Sequence, residues 1–360
     1  MKGYLILEDG TVYEGSLHGS EAEILCEVVF TTGMTGYGET VTDPSFEGQA
    51  VVMTYPMIGN YGINSEDCES KKPQVAALIV RELSTFASNY RSTETFSDYL
   101  KKHGVSVLSG IDTRSLTRRL RDRGTMNGLI THKKPGDISI RLEEIKKHTL
   151  RYSVIRVSRK HPEVFGNGRR KISLIDFGVK NSIIRSLVER DCTVTVWPWD
   201  TPAYIILDSD PDGIMLSNGP GDPKDCSGIL RHITELMDSG IPLFSICLGH
   251  QILALAAGFN TTRLKFGHHG GNHPVKDLST GRVYMSSQNH TFSVMPESVN
   301  PLLAEISYIN VNDGSVEGLR FLNKPVSSVQ FHPEASPGPR ETAYLFDNFM
   351  TIIDTIKETL

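Results

Sequence analysis

From Lys171 onward, short apolar runs alternate with amphipathic helical stretches, and few architectures satisfy that pattern. KISLIDF reads as a buried strand, NSIIRSLVER as a helix capped by Asn181, and TVTVW and GIMLS as two further strands. A helical segment around Gly228 to Ser239 then leads to the apolar run that starts at Ile241. Strands that are apolar throughout, joined by helices, belong to a parallel sheet covered on both faces. In such sheets the working residues stand at the carboxyl ends of the strands.

One of those ends stands out. Ile241 to Ala256, IPLFSICLGHQILALA, is a strand too short for a helix, then Cys247, a glycine two residues later, and a helical pattern with Ile252, Leu253 and Ala256 on one face. A side chain at a sharp strand-to-helix turn is pushed out above the sheet, and the N–H groups opening the helix point at whatever it attacks. The same N-terminus, and any adjacent histidine, lowers the pKa of a thiol placed there. Taken alone, such a cysteine would be read as a small buried hydrophobe.

Two more segments fall at predicted strand ends. SNGPGDP (Ser217 to Pro223) can present backbone N–H groups from a tight loop; Lys224 stands where a dinucleotide fingerprint would need its third glycine. QFHPEASPGP (Gln330 to Pro339) follows the strand-like SSVQF and places His332 and Glu334 two residues apart, on one side of an extended backbone. A carboxylate beside an imidazole fixes its tautomer and stabilises the imidazolium. Nucleophile, donor loop, base and orienter are thus all expected in one sheet.

The preceding part is β-rich. YLILE, Asp9-Gly10 and a second extended segment signal a hairpin. Strand-like runs follow at Cys26 to Thr31, Gln49 to Tyr55 and Ala76 to Val80, separated by the loops TGMTGYGETVTDPS and YPMIGNYGINSED. DTRSLTRRLRDR (Asp112 to Arg123) reads as an N-capped helix with Leu116 and Leu120 inward and its arginines outward, and RLEEIKKH as another helix. The division expected is a domain over 1–150, a basic linker over 151–170 and an α/β domain over 171–360.

A formal charge of −5, with 22% charged and 39% hydrophobic residues, argues against a nucleic-acid or membrane-surface protein. MKGYLILEDG has no long apolar core and no run approaches a membrane span, so the protein is expected to be cytoplasmic. The five cysteines (Cys26, Cys68, Cys192, Cys226, Cys247) include no C-x-x-C pair, which speaks against a disulfide framework or zinc cage. His268, His269 and His273 lack a carboxylate or thiolate at suitable spacing and sit among glycines that suggest a turn, so no metal site is expected.

C-L-G-H-Q followed by H-P-E resembles the class I, triad-type glutamine amidotransferases. LSNGPGDP, ICLGHQ, FGHHGGNHPV and HPEASPGP, with TGMTGY, DPS, YPMIGNYG and IDTRSLTRRLR in the leading part, are similar to the small, glutamine-hydrolysing subunits of carbamoyl-phosphate synthetases over nearly the whole chain. The resemblance implies an α/β fold: a C-terminal parallel-sheet amidotransferase domain preceded by a smaller β-rich α/β domain that meets a partner and contributes to the glutamine site. It implies Cys247 as nucleophile, His332 as general base and acid, Glu334 as orienter, and the Gly219 and Leu248 N–H groups as oxyanion donors. Glutamine binding is carried over to Ser45, Gly219, Gly221, Leu248, Gln251, Asn289, Thr291 and Phe292.

It also implies a large-subunit partner that takes the ammonia and carries ATP and Mg, with no cofactor in this chain, where no G-x-x-x-x-G-K-[ST] loop occurs. Two positions depart from the family pattern: Ser245 replaces the first glycine of G-x-C-x-G, and Thr291 replaces a glycine. A free-standing cysteine-elbow amidohydrolase and a silent scaffold are the rival readings; the leading domain weighs against the first and the presence of Cys247 against the second.

Overall fold

The structure is a computed structural model and describes residues 1–20, 22–136 and 139–359. It divides into two compact units, Met1–Leu150 and Arg151–Leu360, the last residue itself lying outside the described set.

In the first unit seven strands close a barrel: β1 (Lys2–Leu7), β2 (Val12–His18), β3 (Ile24–Thr31), β4 (Gln49–Met53), β5 (Ala77–Ile79), β6 (Ser106–Ser109) and β7 (Met126–Thr131), in the order β1-β2-β6-β5-β4-β3-β7. The hairpin expected at Asp9-Gly10 is β1-β2, with Gly10 at φ 86°, a left-handed conformation in which glycine avoids the Cβ clash. β6 and β7 were not anticipated, and β7 closes the barrel by pairing with both β1 and β3. The first glycine-rich loop is less irregular than expected: Tyr37–Thr42 is helical and Pro44–Phe46 a 3-10 turn. It is tied to the second loop by Tyr37 and Tyr61, whose rings stack at 4.0 Å while each hydroxyl accepts a hydrogen bond from the other's backbone N–H. The helix Thr113–Arg123 forms as read, with Asp112 capping Ser115 N–H and Leu116 and Leu120 buried.

The second unit is a ten-stranded mixed sheet. Its strands are β8 (Glu163–Phe165), β9 (Arg170–Asp176), β10 (Cys192–Pro198), β11 (Gly213–Leu216), β12 (Leu243–Ile246), β13 (Thr261–Asp277), β14 (Val283–Val294), β15 (Ala304–Asn310), β16 (Val316–Phe321) and β17 (Val326–Val329), ordered β8-β10-β9-β11-β12-β17-β16-β15-β13-β14. The inner run β10-β9-β11-β12-β17 is parallel. Apolar layers cover both of its faces, one with Leu253 and Ile233, the other with Phe346 and Phe349. That is the sheet the alternation called for; the antiparallel extension β16-β15-β13-β14 is an addition the apolar pattern did not reveal.

Three local readings are corrected. The stretch 151–170, expected as a linker, carries a helix (Ser153–Val157) and β8, which pairs with β10; Arg159 binds the buried Asp176 through its backbone N–H and its guanidinium. The N-cap of the helix Asn181–Val188 is Lys180, whose backbone is extended at φ −73°, ψ 139°, while Asn181 is already the first helical residue. The glycines around His268 do not make a turn. They lie in the 17-residue β13, whose register against β14 shifts twice, and Gly267 and Gly270 absorb the bulges with positive φ.

Candidate active site

Cys247 leaves β12 at φ 54°, ψ −107° and enters the helix Leu248–Ala256 directly. A non-glycine residue in such a conformation costs about 1–3 kcal/mol and persists only where its surroundings over-determine it. Here they do: Cys247 N–H donates to Val329 O at 2.9 Å, Gly249 N–H to Ser217 O at 3.0 Å, and Gln251 N–H to Cys247 O at 3.2 Å. Gly249 must lack a side chain, since a Cβ there would stand 2.6 Å from Leu216 O. Ser245 fits in place of the usual glycine, fully buried under the turn.

His332 follows β17, and its N–H donates to Ser287 O of β14 at 2.9 Å. Its ring meets Glu334 through Nδ1 and Oε1 at 2.5 Å, and Lys180 Nζ donates to the same carboxylate oxygen at 3.0 Å and to Ala335 O at 2.5 Å. All three side chains are buried. Burial alone would favour a neutral ring and a neutral acid. For His332 the Glu334 charge and then the neighbouring Cys247 outweigh burial and raise the pKa to about 10. For Glu334 the Lys180 and His332 charges outweigh it and bring the pKa down to about 2. Cys247 Sγ points at Asn289 O, 3.6 Å away, while the buried His332 Nε2 has no hydrogen-bond partner among the described residues. A thiol beside an unengaged ring nitrogen, backed by carboxylate and ammonium, is an arrangement in which a proton can move between sulfur and nitrogen.

The Ser217–Pro223 loop leaves β11 next to the elbow. Ser217 Oγ accepts the Phe177 N–H at 2.9 Å and donates to Asn218 O at 2.7 Å, which staples the loop to the end of β9. Gly219 packs so closely that a Cβ would lie 2.2 Å from Phe177 O, and Gly221 has φ 89°. The N–H groups of Gly219 and Leu248 donate to no acceptor among the described residues.

Of the other expected residues, Asn289, Thr291 and Phe292 line β14, whose Asn289 O faces the thiol. Gln251 is buried and its amide donates to Phe292 O at 2.7 Å and to Gln330 Oε1 at 3.0 Å, so it ties the nucleophile's helix to β14 and to the residue that follows β17. Ser45 belongs to the first unit, buried in the Pro44–Phe46 turn with its N–H on Asp43 Oδ1. Lys180 and Asn218 were missed. A lysine just past an apolar strand was the available signal for Lys180, but a charged residue there ordinarily faces solvent.

Carried to the whole chain, these features agree with what it resembles. The family profile described as Glutamine amidotransferase class-I matches residues 173–352, and with the parallel sheet it defines the second unit as a class I glutamine amidotransferase domain. A second profile, Carbamoyl-phosphate synthase small chain, CPSase domain, matches residues 5–130. The chain is 49% identical over 358 residues to a carbamoyl phosphate synthase small chain of Bacillus cereus, covering 99% of this chain and 98% of that one. It is 49% identical to that of Bacillus caldolyticus over 98% and 97% of the two chains, and 48% identical to that of Clostridium perfringens over 97% and 99%. The chain belongs to the carbamoyl phosphate synthase small-chain family. Among the described residues, no helix is long and apolar enough to cross a membrane.

Proposed function

We propose that this chain is the glutaminase subunit of a carbamoyl-phosphate synthetase. The observation that carries the reading is the strained Cys247 beside a buried His332–Glu334–Lys180 chain at the ends of adjacent parallel strands. Cys247 and His332 act as a thiolate–imidazolium pair, the sulfur's proton resting on the ring, and the thiolate attacks the side-chain amide carbon of glutamine. The Gly219 and Leu248 N–H groups receive the oxyanion, and their backbone origin keeps them fixed as charge develops. His332 delivers the proton to the departing amine, ammonia leaves, and a glutamyl thioester remains. His332 next takes a proton from water, the hydroxide attacks the thioester, glutamate is released and the thiol is restored. Glu334, held ionised by Lys180, stabilises the imidazolium at both stages.

Glutamine is held by Gly219, Gly221, Leu248, Gln251, Asn289, Thr291 and Phe292, and the 1–150 domain, to which Ser45 belongs, contributes the contact with a large subunit. That partner, carrying ATP and Mg, combines the ammonia with bicarbonate to give carbamoyl phosphate for pyrimidine and arginine synthesis in the cytoplasm. The test is Cys247→Ser in the two-subunit complex. Glutamine hydrolysis is expected to vanish while carbamoyl phosphate formation from added ammonia persists, because a hydroxyl does not ionise near neutral pH as a thiol can. Residual glutaminase activity near the wild-type level would remove Cys247 from its role, and hydrolysis unaffected by any partner would favour a free-standing amidohydrolase.

A further inference from the structure

Both proposed reacting groups hang from one short piece of β14. Ser287 O accepts the His332 N–H at 2.9 Å, and Asn289 O faces Cys247 Sγ at 3.6 Å. Carbonyls two residues apart on a strand point the same way, so the Ser287–Asn289 backbone sets the spacing between base and nucleophile. What sets that backbone is Gln288, whose buried side chain enters a polar cluster open to solvent only at Asp313.

Gln288 Oε1 stands 2.7 Å from His268 Nδ1, and its Nε2 donates to Glu317 Oε1 at 2.8 Å. His268 Nε2 reaches Asp313 Oδ2 at 2.9 Å, and Glu317 Oε1 also accepts Asn310 Nδ2 at 3.0 Å. His290 Nδ1 donates to Phe292 O at 2.7 Å, the same oxygen that takes Gln251 Nε2 from the nucleophile's helix. Burial disfavours charge on His268, but Asp313 and Glu317 outweigh it and raise its pKa to about 9. With Gln288 Oε1 facing its Nδ1 and Asp313 Oδ2 facing its Nε2, the ring has an acceptor at each nitrogen. That fixes which end of the Gln288 amide faces Glu317, since a flipped amide would set oxygen against carboxylate. The inner atoms of His268, His290 and Glu317 lie within 4.8 Å of one another, so the fold sets beside the histidines the carboxylate that local spacing lacks.

We propose that Asp313, His268, Gln288 and Glu317 form a positioning chain that holds the Ser287–Asn289 backbone in the register from which His332 and Cys247 are aligned. None of the four touches the reacting atoms. The proposal rests on the glutaminase reading above and adds its alignment device.

The test uses the full chain, with wild type and Cys247→Ser alongside. Asp313 is half exposed, so Asp313→Ala should leave the fold intact while removing the far end of the chain; Asp313→Asn keeps an acceptor, and Gln288→Met removes the link itself at similar volume. A shift of a fraction of an ångström at the pair predicts a kcat for glutamine about tenfold lower in Asp313→Ala and Gln288→Met, with Asp313→Asn between them and wild type. The rate of Cys247 alkylation by iodoacetamide should fall in parallel, whereas a merely structural role would lower thermal stability without moving alkylation of the folded protein. Active wild type with unchanged kcat and alkylation in all three variants overturns the positioning chain and leaves the glutaminase reading standing. Hydrolysis that is equal in wild type and Cys247→Ser overturns both.

Discussion

Replacing Gly249 by alanine tests how tightly the elbow is set. The added Cβ would stand 2.6 Å from Leu216 O and 2.8 Å from Leu216 C and Cβ. Relief to ordinary contact needs a displacement of roughly half an ångström or more, and the obstacle is strand backbone that cannot rotate away. What moves is the start of the helix, carrying Cys247 and the Leu248 N–H with it. Overpacking costs about 1–3 kcal/mol, while alanine in place of glycine inside a helix recovers about 1 kcal/mol. The net loss of stability is therefore small, and melting should fall by no more than about 8 °C. Catalysis has no such offset: a misplacement of 1 Å costs about a hundredfold, so half of that predicts a kcat at least about tenfold lower. Steady-state glutaminase kinetics with parallel thermal melts separate the two effects. A variant that melts lower yet turns over at the wild-type rate would refute the claim that the glycine protects alignment rather than folding.

The remaining expectations concern the buried triad. Glu334→Gln should lower kcat less than His332→Ala, since the group that moves the proton outranks the one that stabilises it; an equal or larger loss at Glu334 would reverse those roles. Lys180→Met should act through Glu334, whose folded pKa is brought down to about 2 against burial by Lys180 and His332. A depressed carboxylate adds stability above its unfolded pKa of 4.5 and loses it as the pH falls toward 2, so removing Lys180 should move the acid unfolding midpoint upward. Acid titration followed by circular dichroism checks this, and a midpoint equal to wild type would mean that His332 suffices to hold the charge.

The sequence by itself determined the parallel sheet and the place of the chemistry within it. Apolar runs such as KISLIDF and GIMLS have only one stable environment, between two helical layers, and Cys247, Ser217 and His332 each follow such a run, so their convergence at the strand ends was legible without coordinates. Lys180, 154 positions before Glu334, was not legible, because a lone lysine reads as solvated until the fold supplies a carboxylate and a carbonyl on either side of it. Nor was the cluster around Gln288, whose members come from four strands and connections and whose glycine neighbours imitate a turn. Only the bulged pairing of β13 with β14 brings His268 onto Gln288, since a strand's partner and register depend on packing across the whole sheet rather than on local pattern. Apolar periodicity records burial, which is local and additive; polar networks record mutual satisfaction of donors and acceptors, which exists only once distant segments have met.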